Sequence, residues 1–364
     1  MTIKELTSKI EEFAPLALQE GYDNAGLIIG EPETTITGAL ITVDVTEEVI
    51  AEAIQKKCNL IIAHHPLIFS GIKKLNNKNP VERMVTNSIK NNIAIYAAHT
   101  NLDNVAQGVN AAIAKKLGLV NTSILAPKEN LLKKLVTFCP VGHALQVRNA
   151  VFGAGAGHIG NYDSCSFNTS GEGTFRAMEG ADPFVGEVKK LHFEKEVRIE
   201  TIFPGYQKNK VIAALIQAHP YEEVAYDIYP VENQFGNVGA GMIGELKVEE
   251  NTMGFLLRIK QIFKTGCVKH TKIINEKLSK VAVCGGSGSF LVQDAIAAGA
   301  DIFITGDMKY HEFFDAGNKI VIADVGHYES EQFSKELLMN IINKKSPTFA
   351  ARISETNTNP ISYL

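Results

Sequence analysis

GALITVDVTEEVIAEAIQKKCNLIIAHHP, residues 38–66, decides the fold. The apolar run GALITVDV (38–45) reads as a strand. TEEVIAEAIQKK (46–57) reads as a helix with Thr46 as its cap, and NLIIA (59–63) as the next strand. The pattern continues downstream. PVERMVTNSIKNN (80–92) predicts a helix opened by proline, IAIYAAH a strand, and VNAAIAKKLG a helix ended by glycine. This strand–helix alternation implies a mostly parallel sheet covered by helices.

The last third has the same rhythm. KVAVCGG, ADIFITGD and KIVIADVGH read as strands, and FLVQDAIAAG, KYHEFFDAG and the long ESEQFSKELLMNIINKK (329–345) as helices. Two strand ends match in detail: His99 is followed four residues later by Asp103, and His327 by Glu331. The expected core is therefore an α/β domain of two similar βα halves. Between about 128 and 235 the alternation weakens, and glycine, serine and asparagine become common. VRIETIFP, QKNKVIAALIQAHP and AYDIYPV read as strand, helix and strand. This stretch is expected to be an α+β module inserted into a discontinuous domain made of 1–127 and 236–364. Its glycine-rich segment FGAGAGHIGNYDSCSFNTSGEGTF reads as a hairpin or loop rather than a phosphate cradle.

Composition narrows the function classes. The chain has 364 residues, 36 Lys and Arg against 40 Asp and Glu, a formal charge of −4 and a pI near 6.2. There is no basic footprint for duplex nucleic acid. The five cysteines form no CxxC pair, which suits a reducing compartment and argues against a thiolate zinc site. The N-terminus reads as a charged amphipathic helix, and no apolar run approaches membrane-spanning length. A cytoplasmic protein without a membrane or nucleic-acid partner is expected.

Adjacent residues on a strand point to opposite faces, so His64 and His65 do not easily share one metal ion. Yet three clusters of metal-ligand residue types each follow a predicted strand: His64–His65, His99–Asp103 and His327–Glu331. In parallel α/β sheets, sites form beyond the carboxyl ends of the strands, so the clusters can converge. His327 and Glu331, four apart at a helix start, share a face. Imidazole and carboxylate without thiolate suit Zn, Mn or Fe. His99 is expected as a hydrogen-bond partner to the ligands, and His311 as a candidate acid or base; these two are the catalytic candidates. CGGSGS, between a strand and a helix, offers backbone N–H groups to an anion, and Lys73 and Lys74 could hold one near the histidines. Asp23 and Asn24 read as a turn or cap, and His219 as structural.

The motifs YDNAGLIIG, IIAHHPLIFSGIKKL, AAHTNLD, CGGSGS, ITGDMKYH and VGHYESE resemble, in order and spacing, the GTP cyclohydrolase 1 type 2 homologues. These are also known as the Ngg-interacting-factor-three-like dinuclear metal proteins. The resemblance covers roughly 1–127 and 236–364. It implies two divalent ions per subunit, zinc first with iron or manganese as alternatives, held by His64, His65, Asp103, His327 and Glu331, with Glu331 bridging. It also implies a toroidal homohexamer with metal sites facing its cavity. The insert, through AHPYEEVAYDIYPV, is similar to the ferredoxin-like PII and CutA folds. Tyr22 stands where many members have tryptophan, and Met242 where many have a basic residue, which bears on substrate selectivity. Two divalent ions against two carboxylates would leave the site net positive and favour an anionic or nucleotide ligand. Paired ions acidify water and polarise esters, so hydrolysis of a phosphorylated or purine-like small molecule is the expected reaction class. A non-catalytic metal-binding ring with a regulatory insert is the alternative.

Overall fold

Residues 38–66 fold as the strand Ala39–Thr42, the helix Glu47–Gln55 and the strand Leu60–Ala63. The strands pair in parallel, Ala39 opposite Leu60 and Thr42 opposite Ala63. Thr46 caps the helix, its hydroxyl accepting the Val49 N–H at 3.2 Å. The computed structural model describes residues 1–364. It divides into a unit of Met1–Pro127 with Asn237–Leu364 and a second unit of Lys128–Gly236.

The first unit holds two sheets. In one, the order is Gly26–Ile29, Ala94–Ala97, Leu60–Ala63, Ala39–Thr42 and Ala351–Ile353. All its pairings are parallel except that of Gly26–Ile29 with Ala94–Ala97. The other sheet runs Lys269–His270, Val321–Asp324, Ile302–Gly306, Lys277–Ser287, Phe235–Asn251 and Val120–Lys128. Its three middle strands are parallel, and Lys269–His270 and Phe235–Asn251 flank them antiparallel. Parallel strands buried on both faces need helices on both sides, and the alternation of side chains shows where those lie. Ile41, Ile62 and Tyr96 face a core shared with Val281, Val283, Ile302 and Ile304 of the other sheet. The helices Ile3–Phe13, Val109–Leu117, Thr252–Phe263 and Ser334–Lys345 supply Leu6, Ile113, Phe255 and Leu338 to that same core. The alternate residues Leu40, Ile61 and Ile95 pack outward on Val49 and Val85, and Ala282, Phe303 and Ile322 on Val292 and Ala295. Burying each of the Val, Leu, Ile and Phe side chains among them contributes about 1.5–3 kcal/mol.

The long helix expected over 329–345 is two helices, His327–Glu331 and Ser334–Lys345. The break follows from the side chains between them. The Gln332 amide donates to the Phe263 and Glu329 carbonyls, while the Phe333 ring packs 5.7 Å from that of Phe263. Met242 is 4 % exposed and lies in the shared core, so its apolar character is a packing requirement.

The second unit runs strand Leu132–Pro140, helix Ala144–Gly153, strands Phe167–Arg176 and Leu191–Pro204, helix Lys208–Ala218 and strand Tyr226–Pro230. Its sheet has the spatial order Phe167–Arg176, Leu191–Pro204, Leu132–Pro140, Tyr226–Pro230, antiparallel throughout. The glycine-rich segment ends in a hairpin strand, Phe167 pairing with Glu200 and Arg176 with Leu191. No helix of the chain is long and apolar enough to cross a membrane.

Candidate metal centre

The histidine pair sits one step past the Leu60–Ala63 strand. The His64 and His65 amides still donate to the Thr42 and Val43 carbonyls at the end of the neighbouring strand, so the pair is held by the sheet it leaves. Asp103 ends the one-turn helix Thr100–Asp103 after the Ala94–Ala97 strand, and His327 opens its short helix after Val321–Asp324. Strands of both sheets thus deliver the clusters to one place, beyond their carboxyl ends.

The Glu331 carboxylate is the hub. Its Oε2 lies 2.8 Å from His65 Nε2 and 3.0 Å from His327 Nε2, and these two ring nitrogens are 3.3 Å apart. Its Oε1 lies 3.7 Å from His64 Nε2, which is 3.6 Å from Asp103 Oδ1. The outward nitrogens are occupied. His64 Nδ1 donates to the Ala98 carbonyl at 2.9 Å, His65 Nδ1 to Asp44 at 2.7 Å and His327 Nδ1 to Asp307 at 2.6 Å. A neutral imidazole that donates through Nδ1 presents a bare lone pair at Nε2. With the three rings neutral, as metal ligands must be, three lone pairs and two carboxylates face one another with no donor among them. His64 Nε2 and Asp103 Oδ1 are buried without a hydrogen-bond partner. Such a cluster of acceptors is satisfied by a cation, and His64, His65 and Glu331 bring their ligand atoms within 4.8 Å of one another.

The electrostatics agree. Burial opposes a charged His65, yet hydrogen bonds to Asp44 and Glu331 outweigh it and hold the imidazole at about 10. His327 is likewise held at about 11 against burial, by Asp307 and Glu331. Loss of solvation pushes Asp103 up to about 6, against the pull of His64. Where no ion is bound, protons are drawn to these rings by the negative potential that would hold one.

His99 adjoins the cluster, its ring edge-on to His64 and His65 at 5.4 and 5.2 Å between centroids, with Nδ1 2.8 Å from Asp23. Asp23 also accepts from the Thr100 amide and hydroxyl, so it does more than turn the chain. His311 is exposed, packed on Tyr310 and Phe314, and no hydrogen bond, ion pair or ring contact joins it to the cluster. The turn Tyr310–Ala316 carries it outward, and Asp307 is the residue of that motif that reaches the site. Lys73 and Lys74 are exposed on a loop.

CGGSGS is not free to cradle an anion at its first glycines. The Gly285 and Gly286 amides donate to Asn110 and Ser330. Gly286 has φ +62°, and a Cβ there would lie 2.2 Å from Glu331 Oε1, so these glycines make room for the hub carboxylate. Sequence reasoning missed Asp44, Asp307 and Asp23. The first two stand two and one residues past strand ends, a place that alone does not set them apart from other aspartates. They also correct the charge expectation: Asp44 and Asp307 stand beside Asp103 and Glu331, so the cluster gathers four carboxylates rather than two.

Fold and site together define a class: two-sheet α/β proteins whose strand ends gather imidazoles and carboxylates able to hold a divalent metal ion. The family pattern of Duf34/NIF3 (NGG1p interacting factor 3) matches residues 1–360, and the chain belongs to that family. A Bacillus subtilis protein named GTP cyclohydrolase 1 type 2 homolog is 42 % identical, the match covering 99 % of this chain and 98 % of that one. A Staphylococcus aureus protein of the same name is 34 % identical over the full length of both. A solved Bacillus cereus structure, described as a protein related to NIF3, superimposes with a TM-score of 0.87 at 41 % identity, over 100 % of this chain and 99 % of that one.

Proposed function

We propose that this protein is a dinuclear metal-dependent hydrolase acting on a nucleotide or phosphorylated small molecule. The observation that carries the reading is the inward-facing set of acceptors around Glu331. Its two oxygens address two different groups, His65 with His327, and His64 with Asp103. This chain would hold two divalent ions there, zinc first and iron or manganese as alternatives, with Glu331 between them. The ions would supply Lewis acidity and an acidified water at neutral pH. Asp44 and Asp307 fix the tautomer and direction of His65 and His327. His99, oriented by Asp23, is the group placed to carry a proton at the edge of the site. The name that the relatives carry, GTP cyclohydrolase 1 type 2 homolog, points to the same reaction class.

The reading extends to the architecture. The order strand–helix–strand–strand–helix–strand of Lys128–Gly236, and the spatial sequence of its strands, support a ferredoxin-like module of the PII and CutA kind inserted between two similar βα halves. A cytoplasmic homohexamer completes it, tested by whether the native mass is that of six chains.

One observation favours a second reading. His311 makes no contact with the cluster, which leaves His99 as the one acid–base candidate beside it. A metal-storing or delivering ring would need no acid or base, and its insert would regulate it. The decisive experiment loads the protein with Zn, Mn or Fe and assays GTP and a panel of phosphoesters, beside a His64→Ala/His65→Ala variant. Saturable turnover lost in the variant supports the hydrolase. Turnover that survives in the variant, or none in either protein despite bound metal, sinks it, and the second outcome leaves the metal-carrier reading standing.

A further inference from the structure

The sheet of the Lys128–Gly236 unit has two unlike faces. Val197 and Ile199 pack on the helical side with Val147 and Val211. The residues that alternate with them, Glu196 and Arg198, point to the other side, where a cleft of about 670 Å³ opens. Its walls include Phe138, Phe175, Pro183 and Phe184. Glu196 lies at its floor and is only 9 % exposed. The strand beside it supplies Gly171 in register with Glu196, and Gly173 two residues on. A Cβ at Gly173 would come within 2.1 Å of Glu196 Oε2, so the missing side chain gives the carboxylate its place.

Glu196 has one partner, the Tyr221 hydroxyl, which donates to Oε1 at 2.8 Å. It has no cation. Arg198 is engaged with Glu200 at 2.8 Å and lies over the Phe138 ring. His219, beside Tyr221, donates through Nε2 to the Phe138 carbonyl and accepts the Tyr221 amide at Nδ1, which makes it a neutral ring. Glu222 and Glu223 also line the cleft. A buried carboxylate without a counter-charge is costly. A lone carboxylate with a phenol cannot supply the six or more oxygens that a calcium ion takes. Aromatic rings around the carboxylate instead suit an organic cation, its charge on Glu196 and its apolar body against the phenyl faces. We infer that this cleft binds a small amphipathic amine, with Glu196 as the recognition residue. The site is independent of the metal centre and of the reaction proposed there.

The test uses two probes of one shape and different charge, benzylamine and benzyl alcohol, titrated calorimetrically into the full-length protein at neutral pH. A charge-assisted contact should make benzylamine bind at least about tenfold more tightly. Glu196→Gln, checked for folding by its thermal transition, should remove that preference. Phe184→Ala, at the half-exposed rim, should weaken both probes alike, which keeps the site testable if the Gln variant does not fold. Absence of saturable binding, equal affinity for amine and alcohol, or an unchanged preference in Glu196→Gln would each overturn the inference. So would benzylamine binding that disappears as the protein self-associates, which would assign the cleft to a second copy of the chain.

Discussion

His65 shows how much of a site one residue can and cannot reveal. Its type and its place after a strand mark it as a ligand candidate, because few side chains offer a neutral nitrogen donor. What fixes its direction is Asp44, which takes the Nδ1 proton at 2.7 Å and leaves Nε2 pointing at Glu331. Asp44→Asn keeps the size but removes the charge, and it permits the amide to donate to Nδ1 and so reverse the tautomer. We expect zinc or manganese affinity, measured by competition with a chelating dye, to fall roughly 10–100-fold. The thermal transition in chelator should move little, and an unchanged affinity would remove Asp44 from the site. The histidines, Asp103 and Glu331 were legible because ligand chemistry is confined to few residue types. Asp44 and Asp307 were not, because surface aspartates past strand ends are common and only the folded geometry shows which one meets an imidazole.

Elements place these residues, and one of them acts through a backbone detail. Gly286 ends the Lys277–Ser287 strand at φ +62°, against the Glu331 carboxylate. Gly286→Ala would cost about 1–3 kcal/mol for the backbone conformation and push Glu331 aside. Stability by denaturant titration should fall by that amount, and metal affinity by roughly tenfold or more; a stable variant with full affinity would refute the packing argument. The C-terminal segment is held by a different carboxylate. Glu52 accepts from the Ser354 and Thr356 hydroxyls and the Glu355 amide, with Lys56 at 2.7 Å, and four residues after Ser354 Thr358 donates to Asp44. Burial would raise the Glu52 pKa, but these donors hold it at about 2, below the usual 4.5. A depressed folded pKa stabilises above the unfolded value, and the contribution is lost as pH falls through the folded one. Thermal melts of wild type and Glu52→Gln should therefore differ most above pH 5 and converge toward pH 2. A constant gap would show that the carboxylate charge is not what holds the segment. Here too the sequence was partly legible. Strands and capped helices followed from apolar runs and from Thr46, Pro80 and Gly118, whereas the antiparallel strands flanking each sheet and the break at Gln332 depend on contacts between distant segments.

At the scale of the whole chain, the second unit leaves and re-enters the first at neighbouring points. A Cβ at Gly239 would lie 2.2 Å from the Ala126 carbonyl oxygen and 2.7 Å from Pro127 Cα, so the chain before the insertion runs against the chain after it. Ends that close need only a short turn to join them, and closing a short loop costs little entropy. The metal cluster draws every residue, from Asp23 to Glu331, from the first unit, and the core of the second unit is its own. Replacing 129–235 by a four-residue Gly-Asn-rich turn should therefore give a protein that still unfolds cooperatively. Its zinc or manganese affinity should stay within about threefold of the full chain, since sites without shared partners behave independently. The same deletion removes Glu196 and the cleft above it, so benzylamine binding should vanish while metal binding persists. Loss of metal binding in a cooperatively folded deletion protein would mean that the inserted unit contributes to the site, against the separation of cores seen here.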